Sequence, residues 1–162
     1  RLEKWAQDAD EQQAWTDYRV SFDVRLGKRP QTGTLDVLRV LWRGQTPDQP
    51  TRYNRNFPKM AIKNGYSMIV GVNAAEGVWS LKMPGFAEND VVALSGGVDG
   101  SWHTVEIVAQ GKRFEIKWDG EAVWTGLDDQ FGNGGIAVRN MMADPQPVGH
   151  IDIDNLQVTS IR

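Results

Sequence analysis

Cysteine is absent from this 162-residue sequence. That excludes a disulfide framework and a thiolate-held metal, while leaving the compartment open. Histidine is nearly absent. His103 and His150 stand at unrelated positions, which excludes a multi-histidine zinc site. No apolar run approaches the length of a membrane span, and no signal peptide is recognisable. Charge of one sign is scarce as well. The formal net charge is −3, so nothing argues generally for a nucleic-acid partner. The sequence shows no internal repeat, low-complexity tract or second-domain linker. Its length suits one domain over residues 1–162 with one sizeable core. It begins at Arg1 rather than Met, which reads as a processed piece of a longer protein. Tethering to other domains, with any targeting segment lost, is the expectation.

What is present is period-two alternation. In "WHTVEIVAQGKRFEIKWDG" (102–120), Val105, Ile107 and Ala109 share one face, and Phe114, Ile116 and Trp118 share another run. Gly111-Lys112 and Asp119-Gly120 interrupt these runs as hairpin turns do. "YRVSFDVRL" (18–26) alternates in the same way, with Tyr18, Val20, Phe22, Val24 and Leu26 inward. "LDVLRVLWR" (35–43) is apolar on both faces and reads as a central strand covered on both sides. "YSMIVGVN" and "GVWSLKM" form a further hairpin. "PGFAENDVVALSGGVDGS" is an irregular link that includes at most a short strand. "EAVWTG", "IAVRN" and "HIDIDNLQVTSI" complete the series. In the last of these, the apolar phase shifts by one near Asp154-Asn155, as a bulge produces. Few helical signals occur. The reading is an all-β, two-sheet antiparallel sandwich of jelly-roll type.

The order "WTDYRVSFDVRL", "VLWRG", "GYSMIVGVN…GVWSLKM", "SWHTVEIVAQGKRFEIKWDGEAVW", "GGIAVRN", "HIDIDNLQVTS" resembles the concanavalin A-like lectin/glucanase jelly rolls. In particular it resembles the laminin-G-like domains attached to bacterial polysaccharide-degrading enzymes, over roughly residues 15 to 160. These motifs describe the scaffold, and one fold hosts many functions. Relatives in that group divide between carbohydrate-binding modules and a set grouped with glycoside hydrolases. The terminal "I-D-N-L-Q-V" leans toward the binding modules. The resemblance also implies a secreted, periplasmic or cell-surface location.

The sequence offers little for catalysis. Glycoside hydrolysis needs two carboxylates at a defined separation. Glu115, Asp119 and Glu121 have the wrong spacing and straddle a turn. His103 has no obvious partner, and "LSGGVDG" precedes no helix and lacks a suitably placed Lys. No cofactor is required on this reading. The resemblance implies a structural calcium, in which Asp154 would join Asp8, Asp10 or Glu11, since Ca²⁺ takes six to eight oxygen ligands. The alternative for Asp152 and Asp154 is an edge strand with polar outward positions.

Binding has more candidates. Between Arg43 and Tyr66 stand five cations, Arg43, Arg52, Arg55, Lys59 and Lys63, against Asp48 alone. That local balance of +4 leaves −7 for the rest of the chain. Residues 44–65 form a long connection of the kind that is functional or mobile. Arg supplies a fork for carboxylates, and aromatic rings supply a face for sugar C–H groups. The expected ligand-contacting set is Arg43, Tyr53, Arg55, Asn64, Tyr66, Trp79 and Arg139. Against this, Tyr66 and Trp79 suit a core equally, Arg43 suits a pair with an acid beneath the loop, and the basic segment suits a solvated loop. The expected function is non-catalytic recognition of a polysaccharide, preferably an acidic one such as a polyuronate. A hydrolase or lyase on the same jelly roll is the first alternative, and a protein-interaction domain is the second.

Overall fold

The computed structural model describes residues 15–28, 37–45, 64–73, 78–83, 91–141 and 150–161. Ten strands run in order: β1 (Tyr18–Lys28), β2 (Val37–Gln45), β3 (Asn64–Asn73), β4 (Val78–Lys82), β5 (Val91–Gly97), β6 (His103–Gln110), β7 (Arg113–Trp118), β8 (Glu121–Leu127), β9 (Gly135–Met141) and β10 (His150–Ser160). One sheet has the order β10-β1-β6-β7-β8, and the other β5-β4-β3-β2-β9. Every pairing is antiparallel. No helix occurs among the described residues. The expected two-sheet sandwich is therefore present, and β5 lies within the segment read as an irregular link.

Local sequence explains the meander β6-β7-β8. Val105, Ile107, Ala109, Phe114, Ile116 and Trp118 are all buried, so the alternation separates core from solvent. Asp119 and Gly120 both have positive φ, 50° and 85°. That pattern matches the twist of flanking strands in a two-residue hairpin.

The phase shift read in β10 is a bulge. Ser21 pairs with Gln157 and Asp23 with Asp154, so β10 carries an extra residue there, with Asn155 at φ 52°. Ile151, Ile153, Leu156 and Val158 all pack on the core despite the break in phase. The inner faces of both sheets meet in one continuous core that includes Trp42, Trp79, Trp118, Phe22 and Met68.

A second bulge lies at the end of β2. Trp42 pairs with Tyr66 and Gln45 with Asn64, so Arg43 and Gly44 face the single residue Gly65. Arg43 takes φ 48°, a left-handed conformation unusual for a long side chain. A Cβ at Gly65 would stand 2.8 Å from Gly44 Cα, and one at Gly134 would stand 2.5 Å from the Arg43 carbonyl carbon. The two glycines admit the bulged backbone between them. The extra residue turns Arg43 inward next to Trp42, where strict alternation would point it out.

Candidate functional site

Arg43 is 1% exposed. Its Nη1 donates to the carbonyls of Gly111 (2.6 Å) and Phe131 (3.1 Å), and its Nη2 to Thr16 O (2.8 Å). Asp17 Oδ1 is 3.4 Å from Nη2 and also accepts the Gly111 N–H at 2.8 Å. The guanidinium carbon sits 5.0 Å from the centre of the Phe114 ring. Tyr66 flanks the same ring at 4.5 Å. Its Oη donates to Asp128 Oδ1 at 2.5 Å and accepts the Phe131 N–H at 3.1 Å. Burial, then the bond to Asp128, push the Tyr66 phenol up to about 12. The same bond, followed by the Gln130 N–H, holds the Asp128 carboxyl below its ordinary range. The cluster ties the lead-in at Trp15–Asp17, the β6–β7 turn and the β8–β9 loop to one end of the sandwich.

This corrects part of the expected site. Arg43 and Tyr66 do come together, but both are interior, and the acid beside Arg43 is Asp17 of the lead-in. Trp79 is 1% exposed and packs on Trp118 (5.5 Å) and His103 (5.8 Å). None of the three offers the open face that a ligand contact requires. Tyr53 and Arg55 lie outside the described residues, as do Arg52, Lys59 and Lys63. Asn64 opens β3 opposite Gln45. Arg139 stands in β9 opposite Arg39 of β2.

His103 does have a partner. Its Nδ1 lies 2.8 Å from Asp119 Oδ2, and its ring stacks on Trp118 at 4.8 Å and 20°. The signal was the Asp119-Gly120 turn, which carries the carboxylate back beside the start of β6.

Asp154 is exposed, and its Oδ1 accepts the Asn155 N–H at 2.8 Å. Asn155 Nδ2 donates to Asp23 Oδ2 at 2.7 Å, and Thr104 Oγ1 to Asp23 Oδ1 at 2.8 Å. Among the described residues no group of three or more His, Asp or Glu is arranged to hold a metal. These residues alone do not make the calcium site expected at Asp154. Asp8, Asp10 and Glu11 lie outside them.

The outer faces of the two sheets differ in charge chemistry. On the β10-β1-β6-β7-β8 sheet, cations and acids interleave and pair: Arg25 with Asp152 (2.9 Å), Lys117 with Glu106 (3.1 Å), Arg19 with Glu106 (3.4 Å) and Arg113 with Glu115 (3.4 Å). On the other sheet the register places Arg139, Arg39, Ile69, Lys82 and Val91 in one row across all five strands. Ala137, Leu41 and Ser67 align on one side of that row, and Met141, Val37, Gly71, Ser80 and Ala93 on the other. No carboxylate occupies a described position of this face.

Arg39 Nη2 donates to Ser67 Oγ at 3.3 Å, while its buried Nε–H meets no acceptor among the described residues. Exposure rises outward across the face, from Ser67 at 3% on β3 to Val91 at 66% on β5. Sequence reading did not single out Arg39 and Lys82. Arg39 was visible as the one charge inside the apolar stretch "VLRVLW" (37–42), but only strand pairing shows that Lys82 shares its row and that acids do not.

No family model matches the sequence, and no curated protein matches it. Solved structures do. A carbohydrate-binding module, CBM66 from Bacillus subtilis, matches over 90% of this chain and 76% of its own, with TM-score 0.55 and 17% identity. An alginate lyase from Pseudomonas aeruginosa matches over 93% and 67%, with TM-score 0.57 and 12% identity. Sheep galectin-11 matches over 89% and 90%, with TM-score 0.54 and 11% identity. The fold is a concanavalin A-like jelly roll. Identity this low carries the architecture and not the activity.

Proposed function

We propose that this domain is a non-catalytic carbohydrate-binding module for an acidic polysaccharide, and that the outer face of the β5-β4-β3-β2-β9 sheet holds the ligand. The observation that carries this reading is Arg39. It is a cation on the outer face of a central strand, hydrogen-bonded to Ser67, on a face whose described positions hold no acid. Lys82 adds a second cation, Ser67 and Ser80 add hydroxyls, and Leu41 and Ile69 add apolar surface for sugar C–H groups. The planar Arg39 guanidinium suits a ligand carboxylate, to which it can offer charge-assisted bonds. The described part of the face also lacks a His or carboxylate to serve as general base, which favours binding over turnover. The carbohydrate-binding module, galectin and lyase among the structural neighbours support glycans as the ligand class. Such a module belongs in a secreted, periplasmic or cell-surface protein beside a glycan-degrading domain.

The test is a glycan array followed by titration calorimetry with acidic and neutral oligosaccharides. The expected result is binding to acidic glycans that weakens with salt and falls about tenfold or more in Arg39→Gln, one charge-assisted bond contributing roughly 1.5–3 kcal/mol. Cleavage of a bound glycan by the isolated domain would favour the hydrolase or lyase reading. A blank array with a recovered protein partner would favour the interaction-domain reading.

A further inference from the structure

We infer that the bound polymer is an extended 1→4-linked polyuronate lying across the strands, along the row Arg139–Arg39–Ile69–Lys82–Val91. This rests on the binding face proposed above. The register decides the direction. Along β2 the described outward positions hold one cation, Arg39. Along β4 they hold Lys82 alone, and along β3 none. A chain parallel to the strands therefore meets a single cation. A chain across them passes both Arg39 and Lys82, with Arg139 at the next register position on β9.

Spacing points to the polymer class. Neighbouring strands lie about 4.8 Å apart, so Arg39 and Lys82, two strands apart, are separated by roughly 10 Å across the sheet. In an extended 1→4-linked uronan with near two-fold symmetry, every second carboxylate faces the same side, and the repeat is two sugar lengths. Two sugars span about two strand intervals. One carboxylate then meets Arg39 and the next but one meets Lys82. The intervening ring lies over Ile69, whose side chain is apolar and partly exposed. Arg139 occupies the position that extends the row by one strand.

The probes are oxidised cello-oligosaccharides (β-1,4-glucuronates) of two to six residues, with cello-oligosaccharides as the neutral match of identical backbone. Affinity should rise with length through the trimer, the shortest chain that joins Arg39 to Lys82, and level off once the row is spanned. Neutral chains should bind at least tenfold more weakly. Arg39→Gln should weaken every length. Lys82→Gln should weaken the trimer and longer by about two- to fivefold, as an exposed charge does, and leave the dimer unchanged. Lys82 is exposed, so its substitution does not test folding. Arg39→Lys checks that a loss at Arg39 follows from geometry and not from unfolding. A nitroxide at the reducing end of the tetramer should broaden amides at one end of the row, in β9 or in β5.

Loss in Arg39→Gln with no effect of Lys82→Gln at any length, or broadening at the strand ends near Gln45 and Asn64, overturns the direction and leaves the face standing. Indifference to both substitutions overturns the face itself. Wild-type protein that binds no oxidised oligosaccharide overturns the polyuronate, and the face then survives only if another glycan still depends on Arg39.

Discussion

Tyr18 Oη, on one sheet, accepts the backbone N–H of Arg43, on the other, at 2.7 Å. Burial pushes the Tyr18 phenol up to about 12, against the opposing effects of that hydrogen bond and of the Arg43 charge. The folded value lies above the unfolded one. Its contribution to stability is therefore complete below about pH 10 and is lost as pH rises from 10 to 12, with a size of roughly 2–3 kcal/mol. Thermal melts should show a steep loss of stability in that window. Tyr18→Phe should reduce that loss without abolishing it, since the Tyr66 phenol is raised into the same window, while costing about 1–3 kcal/mol at neutral pH because a buried N–H loses its acceptor. An alkaline slope unchanged in Tyr18→Phe would place the titration elsewhere.

Arg43 crosses from the β2 bulge to three main-chain carbonyls and one carboxylate. Arg43→Met keeps bulk and removes all of these bonds. The expected cost is about 3 kcal/mol, as for breaking a buried ionic contact. That lowers Tm by roughly 6–12 °C in a domain of this size. Arg43→Lys should recover only part of the loss, since an ammonium lacks the planar fork that reaches Gly111, Phe131 and Thr16 together. Equal melting temperatures for Arg43→Lys and wild type would count against the cage.

Tyr66 and Asp128 predict behaviour at the acid end. The Tyr66 hydroxyl is the leading cause of the depressed Asp128 carboxyl. A depressed folded value gives stability that is present above the unfolded carboxylate range, near pH 4, and is lost as pH falls through the folded value. Tyr66→Phe removes that donor and also leaves the Phe131 N–H without its acceptor. Urea denaturation at pH 7 and at pH 3 should show a loss of about 1–2 kcal/mol at pH 7 and a smaller difference between variant and wild type at pH 3. A constant difference at both pH values would remove Asp128 from the explanation.

Legibility in the sequence follows the range of the interactions. The β6-β7-β8 meander was readable because alternation and turn chemistry act within a few residues: Val105 to Trp118 alternate, and Asp119-Gly120 turns. The β10 bulge was readable because Ile151, Ile153, Leu156 and Val158 change phase within one strand. The inward turn of Arg43 was not, because it depends on Gly65 and Gly134, which lie far along the chain and meet the bulge only after β3 and β9 pair with β2. A strand-end arginine and a bulge arginine look alike in sequence. The acid-free outer face was hidden for the same reason. Each strand alternates, and only the pairing order shows that the carboxylates collect on the β1-containing sheet.

Stability and binding should separate between the two arginines of β2. Arg43 is enclosed at the sandwich end, whereas Arg39 and Lys82 lie on the outer face of the sheet. Lys82 is exposed and has no hydrogen bond or ion pair among the described residues, so Lys82→Glu should change stability by no more than a surface substitution does, about 0.5 kcal/mol or less, and leave Tm nearly unchanged. It places an acid in a row otherwise free of them, and like-charge contact opposes an anionic ligand. Affinity for the oxidised cellohexaose should fall at least fivefold, with the largest loss at low ionic strength, where screening is weakest. Arg43→Met should do the reverse: a large drop in Tm, and unchanged affinity when titrated well below its midpoint. The paired measurement is differential scanning calorimetry and isothermal titration on the same preparations at two salt concentrations. If Arg43→Met abolishes binding while remaining folded, and Lys82→Glu binds as wild type does, the ligand lies at the sandwich end and not on the sheet face.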